Sequence, residues 1–165
     1  MTKFTSNNLM KDESIVYSTK LHWIVYLQVI PFFFLALVSL IAGPGILKSL
    51  ETKSSSFFIL GIMLIIGGLL DILYFRILIR TSEFVITNKR LIMKRGIIST
   101  KTLELLHSKI ETVSIFQGIG GKIFGYGNLA VVGSGGTVNL FKTIEKPFDF
   151  RKAAQEAINK AQKTA

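Results

Sequence analysis

A transmembrane α-helical hairpin followed by a small β-barrel of six to seven strands, capped by a C-terminal α-helix, is the fold class predicted by this sequence. Three observations predict it. Two long apolar runs occupy the first half of the chain, short alternating strands bounded by turn residues fill the second half, and one amphipathic stripe closes it. The bulk composition agrees. Of 165 residues 49% are hydrophobic, yet 20 Lys and Arg stand against 10 Asp and Glu, a formal charge of +10. Those values fit a chain partly embedded in lipid and partly basic and water-facing.

The first run, Trp23 to Ala42, holds 20 residues without a charge. At about 1.5 Å per residue it reaches roughly 30 Å, the thickness of a bilayer core. Gly43-Pro44-Gly45 predicts its stop, and residues 23–47 are assigned to this helix. The second run, Phe57 to Phe75, has 19 residues and one charge, Asp71. Residues 48–56 between them are polar and short, as an antiparallel helical hairpin requires. Neither run is amphipathic, unlike a helix packed on a soluble core. The first is not read as a cleaved leader, because it begins only at residue 23, exceeds the roughly 7–15 residues of a signal core, and has no small-x-small site near Ala42.

Charge sets the expected orientation. Residues 76–165 hold 15 Lys and Arg against six acids, a net +9, with Arg76 and Arg80 directly after the second run. Both termini are therefore expected in the cytoplasm, residues 48–56 outside, and the chain in the cytoplasmic (inner) membrane. Within the runs the polar residues are Asp71, Gln28 and, at the edge, His22. Asp71 reads either as a group making an interhelical or interfacial hydrogen bond to His22, Tyr26, Gln28 or a headgroup, or as a proton- or ion-relay group. Trp23, Tyr26, Tyr74, Arg76 and Arg80 read as interface anchors. Gly61, Gly67 and Gly68 allow close helix approach.

After Arg80 the period changes to two. Glu83–Thr87 and Arg90–Lys94 flank the turn Asn88-Lys89. Ile97–Leu105, Lys109–Phe116, Asn128–Gly133 and Thr137–Lys142 follow, so strands cover about 83–142 of the domain assigned to 76–165. Phe84, Ile86, Leu91, Met93, Leu103, Leu105, Val113, Ile115, Leu129, Val131, Val138 and Leu140 are expected to face one interior, with Arg90, Lys94, Glu111 and Asn139 outside. Residues 147–162 read as a helix with Asp149 as N-cap and Phe150, Ala153, Ala154, Ala157, Ile158 and Ala161 on one stripe. The N-terminal segment 1–22 contains Glu13–Ser18, which has strand-like content and is the candidate for a seventh strand.

The stretch Glu83–Gly136 resembles the bacterial pleckstrin-homology (PH) domain in its membrane-anchored form. The resemblance rests on Thr87-Asn88-Lys89-Arg90-Leu91, Arg95-Gly96-Ile97-Ile98, Lys109-Ile110-Glu111-Thr112-Val113, Gln117, Phe124-Gly125-Tyr126-Gly127-Asn128 and Gly133-Ser134-Gly135-Gly136. Upstream, His22-Trp23 and two closely spaced runs match as well, so it covers roughly residues 13–160. It implies a PH-like β-barrel with a C-terminal helix on two membrane spans, and no enzyme activity. Ile144-Glu145-Lys146-Pro147 departs from the pattern by one extra residue before the helix.

Few residues point to chemistry. Without cysteine there is no disulfide, thiolate metal site or cysteine nucleophile. The two histidines, His22 and His107, do not make a histidine-rich metal site, and His107-Ser108 is a neighbour pair rather than a triad. The stretch Gly118–Gly127 (GIGGKIFGYG) fails as a phosphate loop, because Ile123 stands where a hydroxyl must follow Gly121-Lys122. Its Ile119, Ile123 and Phe124 are expected to pack on the barrel, the alternative being that they and Lys122 touch lipid or a partner. The basic residues Lys89, Arg90, Lys94, Arg95, Lys101 and Lys122 are the candidate lipid or partner surface, attracting anionic headgroups at about 1 kcal/mol each. No aromatic–basic alternation reads nucleic acid. The expected partners are membrane lipids, a second copy or another membrane protein, with neither nucleic acid, metal nor cofactor. The expected role is a non-enzymatic module for assembly or surface binding at the cytoplasmic membrane. The alternative is a small subunit of a transporter or envelope stress-defence complex in which Asp71 carries function.

Overall fold

The computed structural model describes residue 5, residues 8–47 and residues 55–164. Most of the loop expected at 48–56, with Lys48 and Lys53, lies outside the described residues. The chain divides into two compact units. One is Val25–Arg76; the other combines the residues up to Ile24 with those from Ile77 onward.

The first unit is an antiparallel helical hairpin of α1 (Ile30–Leu47) and α2 (Ser55–Thr81). The helical stretch begins at Trp23 as expected, but Trp23–Val29 is 3-10 helix and the α-helix begins only at Ile30. Pro31 explains this, since its missing N–H and fixed φ suit the first turn of a helix and interrupt an α-helix arriving from upstream. The helix runs through Gly43-Pro44-Gly45 and ends at Leu47, the end assigned to it. Pro44 removes one donor, but its fixed φ is helical, so a final turn persists beyond it.

Both helices are long and apolar enough to cross a membrane, over Trp23–Ile41 and Ser56–Thr81. Only 28% of the first stretch and 11% of the second is buried, whereas a core helix of a soluble fold is mostly buried. Where the helices meet, Gly61 lies against Leu40 and Gly68 against the Phe33 ring, so close that a Cβ would come within 2.8 and 3.0 Å. Gly67, expected to share this role, faces open space. Tyr26 stands edge-on to Phe75 at 6.3 Å, and the Ser39 hydroxyl donates to the Phe57 carbonyl at 2.9 Å.

The second unit holds β1 (Ile15–Thr19), β2 (Glu83–Thr87), β3 (Arg90–Arg95), β4 (Lys101–Leu106), β5 (Ile110–Phe116), α3 (Ile119–Phe124), β6 (Tyr126–Gly133), β7 (Val138–Glu145) and α4 (Pro147–Thr164). The seven strands form two antiparallel sheets, β1-β2-β3-β4 and β5-β6-β7. The expected small β-barrel is thus two sheets of four and three strands that do not close into a continuous barrel. No ladder joins β4 to β5, which the 3-10 turn His107–Lys109 separates. On the other flank the sheets are stitched by the residues after β1. Leu21 bridges Ile144, the His22 N–H donates to the Thr143 carbonyl at 2.8 Å, and the Glu145 N–H donates to the Lys20 carbonyl at 3.0 Å. The Thr19 hydroxyl adds a bond to the Glu145 carbonyl at 2.7 Å.

β7 carries one extra residue there. Leu129 pairs with Phe141, but Gly127 pairs with Ile144, and Thr143 sits at φ 63°. This bulge turns the strand. Val138 and Leu140, expected inside, are exposed, while Phe141 and Ile144 are buried. They join Phe84, Ile86, Leu91, Met93, Leu129 and Val131 in the core. Leu103, Leu105 and Ile115, also expected inside, are half-buried. β4 starts at Lys101 rather than Ile97, because Gly96 (φ 131°) opens a turn and a Cβ there would collide with the Ser99 carbonyl.

α4 closes the core on the expected stripe. Phe150, Ala154, Ala157 and Ile158 are buried, and Tyr17 meets Phe150 edge-on at 6.2 Å. The helix starts at Pro147 after Lys146 (φ 47°). Asp149 thus lies in the first turn, favourable to the helix dipole, rather than at the N-cap.

Candidate functional site

The basic residues singled out in the sequence separate into two groups. Arg90 is corrected from a surface position to a buried one, 8% exposed. Its Nε donates to Glu13 Oε1 at 3.0 Å and its Nη1 to Glu104 Oε2 at 2.7 Å. Nη2 reaches the Asn8 carbonyl at 2.8 Å and Glu13 Oε2 at 3.1 Å. Glu13 also accepts from the Thr87 hydroxyl at 2.8 Å and from the Met10 N–H at 2.7 Å. Burial pushes the Glu13 carboxyl up, but the bonds from Met10, Arg90 and Thr87 together with the Arg90 charge outweigh it and hold it below the usual carboxylate value. The Tyr17 phenol is pushed up by its burial and by Asp149 and Glu145 nearby. Thr5 extends the strapping, its N–H and hydroxyl donating to Glu83 Oε2 at 3.1 and 2.7 Å. Lys89 stands beside this strap, and its Nζ donates to the Lys11 carbonyl at 2.7 Å. The cluster ties the N-terminal segment to β2 and β3 and uses four of the five side-chain N–H donors of Arg90.

Sequence reasoning missed Glu13, Thr87 and Glu104 as partners of Arg90. A signal existed for one of them. Ile92 pairs with Glu104, so Arg90 and Glu104 are diagonal neighbours on one sheet face.

Lys94, Arg95 and Lys101 occupy the other end of the same sheet. In antiparallel order, the β3–β4 turn, the end of β1 and the start of β2 share one end, while Asn88-Lys89 marks the opposite one. Residues 20–24 leave, and residues 77–83 return, at the end carrying Arg95 and Lys101. Arg95 pairs with Lys101, donates from Nη1 to the Lys142 carbonyl at 3.2 Å, and Lys101 Nζ stands 5.5 Å from the Phe141 ring centre. Ile98, at the tip of this turn, is fully exposed.

His22 is corrected from an intramembrane polar group. It is 5% exposed within the sheet-bearing unit, its Nδ1 accepts from the Ile24 N–H at 3.1 Å, and its ring lies 5.5 Å from Tyr126 and 5.4 Å from Trp23. The half-exposed Trp23 stands edge-on to Phe124 of α3 at 6.1 Å. Ile119, Ile123 and Phe124 are corrected as well. They do not pack on the sheets but are exposed by 81%, 72% and 47%, with Lys122 exposed among them. Gly125 (φ 77°) ends the helix, its N–H bonding the Gly121 carbonyl at 2.8 Å.

In the hairpin, Asp71 is half-buried and pairs with none of the described side chains there. Gln28, Tyr74, Arg76 and Arg80 are exposed and Tyr26 half-buried. His107 is buried, with Nε2 2.8 Å from the Thr87 carbonyl and Nδ1 unpartnered among the described residues. Among the described residues no group of three His, Cys, Asp or Glu side chains could hold a metal ion.

A family model, Bacterial PH domain, matches residues 25–160. The chain belongs to the bacterial PH domain family. The match takes in both apolar helices and begins after β1, although β1 completes the first sheet. PH domains are generally non-catalytic modules that bind proteins or lipids. Neither the curated proteins nor the solved structures gave a match.

Proposed function

We propose that the chain is a membrane-anchored PH-like binding module of the cytoplasmic (inner) membrane, with both termini in the cytoplasm and no enzymatic step of its own. The pairing of β1 with β2 carries this reading. The apolar hairpin is inserted between two strands that are neighbours in one sheet, so the residues before and after it must share one side of any membrane it crosses. An even number of spans satisfies that condition, and two apolar helices provide it. The basic excess of residues 76–165 favours the cytoplasmic side.

The module then presents Lys94, Arg95, Lys101 and Lys122 at the membrane surface, to lipid, to a second copy or to another membrane protein. Alkaline carbonate washing should leave the chain in the membrane pellet, and a reporter fused after Ala165 should read as cytoplasmic. Release into the wash or an external reporter would overturn the anchoring. Crosslinking after mild detergent extraction should recover a second copy or another membrane protein. A lone monomer without headgroup preference would remove the binding role.

Asp71, half-buried and without a side-chain partner among the described residues, favours a second reading, a small subunit of a transporter or envelope stress-defence complex working through its spans. Under that reading Asp71→Asn abolishes the phenotype, while Lys101→Ala with Lys122→Ala leaves it intact. Under the binding reading the two results exchange.

A further inference from the structure

We infer that the PH-like unit lies against the bilayer through two apolar tips with basic flanks, Ile119 and Ile123 of α3 around Lys122, and Ile98 between Arg95 and Lys101, the occupant of this face being an anionic lipid surface. The inference rests on the anchored reading and adds a second, non-covalent attachment to it.

Three observations carry it. The first is exposure: Ile98 is 100% exposed, Ile119 81% and Ile123 72%, above the other exposed large apolar side chains described in this unit, the next being Val138 at 61% and Phe116 at 59%. Large apolar side chains held together in water mark a surface that is covered in use.

The second is position. Phe124 packs on Trp23, which lies two residues before Val25, the first residue of the hairpin unit. The Ile98 turn shares its sheet end with Thr19 and Glu83, where the chain leaves for the hairpin and returns. Both tips therefore lie on the part of the unit that the chain itself ties to the apolar helices.

The third is charge. Residues 95–101 contain Arg95 and Lys101, residues 116–126 contain Lys122, and neither stretch contains an acid. Apolar tips flanked only by cations suit the boundary between acyl chains and anionic headgroups. The geometry is built rather than frayed. The left-handed Gly96 forms the turn that presents Ile98, and the left-handed Gly125 ends the helix that presents Ile123.

The absence of native cysteine makes the test direct. Single variants Ile98→Cys, Ile123→Cys, Thr137→Cys and Ile66→Cys of the full chain are labelled with an environment-sensitive fluorophore. Each is reconstituted in phosphatidylglycerol vesicles with quenchers at shallow or deep positions in the lipid. The labels at 98 and 123 should be quenched by shallow lipid at least about threefold more than that at 137. Adding Lys101→Gln and Lys122→Gln should lower this quenching about twofold, and exchanging the lipid for phosphatidylcholine should do the same. Labels at 98 and 123 as open to aqueous iodide as that at 137 would overturn the docking. So would labels shielded from iodide yet unquenched by lipid, which would mean a protein cover. The label at 66 reads the anchoring separately. Deep quenching there with wet tips leaves the anchor standing without the docking, whereas a wet label at 66 removes both.

Discussion

α1 and α4 are each 18 residues long, yet they treat their apolar side chains in opposite ways. α4 gathers Phe150, Ala154, Ala157 and Ile158 on one buried stripe and gives most of the rest of its surface to charged and polar side chains. α1 has no polar face, and Phe34 and Ile41 project by 63% and 71%. One helix is apolar where it meets protein; the other is apolar wherever it meets anything. The difference teaches that length and hydrophobicity identify a candidate span only together with exposure, because the bilayer replaces the protein core as the apolar solvent.

Substitutions can break or sharpen that contrast. Phe150→Ala should have the largest effect, costing the PH-like unit about 3–5 kcal/mol, measured by denaturant unfolding in detergent. Phe34→Ala should leave the same unfolding curve in place, and an equal loss from both would make α1 a core helix. Arg90→Ala should cost a similar amount, about 3–5 kcal/mol, because it strands the buried Glu13 carboxylate. The exposed Lys122→Ala should leave stability unchanged. Phe34→Arg should disfavour insertion of the hairpin by about 2.5–3.5 kcal/mol, read as the fraction retained by membranes after carbonate washing. Full retention would count against the lipid-facing assignment of α1.

The smallest effect is the acid limb of stability. The folded fold holds the Glu13 carboxyl below its ordinary value of 4.5, so its contribution is complete above that value and is lost as pH falls through the lower folded value. Glu13→Gln should be less stable near neutrality and flatter below about pH 4.5. A variant with an unchanged acid limb would remove Glu13 from the linkage.

Much of the fold was legible because local pattern and tertiary contact agree. Glu83–Thr87, a β-branched and aromatic run bounded by a turn, forms β2 over those same residues. The α4 stripe is readable from 3.6-residue spacing. Two features escaped because their causes are non-local. The change of face along β7 between Phe141 and Ile144 comes at Thr143, whose left-handed φ accompanies the stitching of His22 to its carbonyl. The burial of Arg90 comes from Glu13, 77 residues away in the chain. The candidate site was half legible. Basic residues stood out, but which of them share an end with the chain connections depends on strand order, and the exposure of Ile119 and Ile123 depends on where α3 lands.

The insertion of the hairpin between β1 and β2 also imposes a timetable. Glu13 and its partner Thr87 are 74 residues apart, so β1 leaves the ribosome well before β2 exists. At about 5–20 residues per second the wait is about 4–15 s, against about 1–10 μs for an ordinary β-hairpin to close. During that interval both apolar helices are synthesised. The first sheet can assemble only after they have emerged, and under the anchored reading a hairpin with only one helix across the membrane would leave β1 and β2 on opposite sides of it.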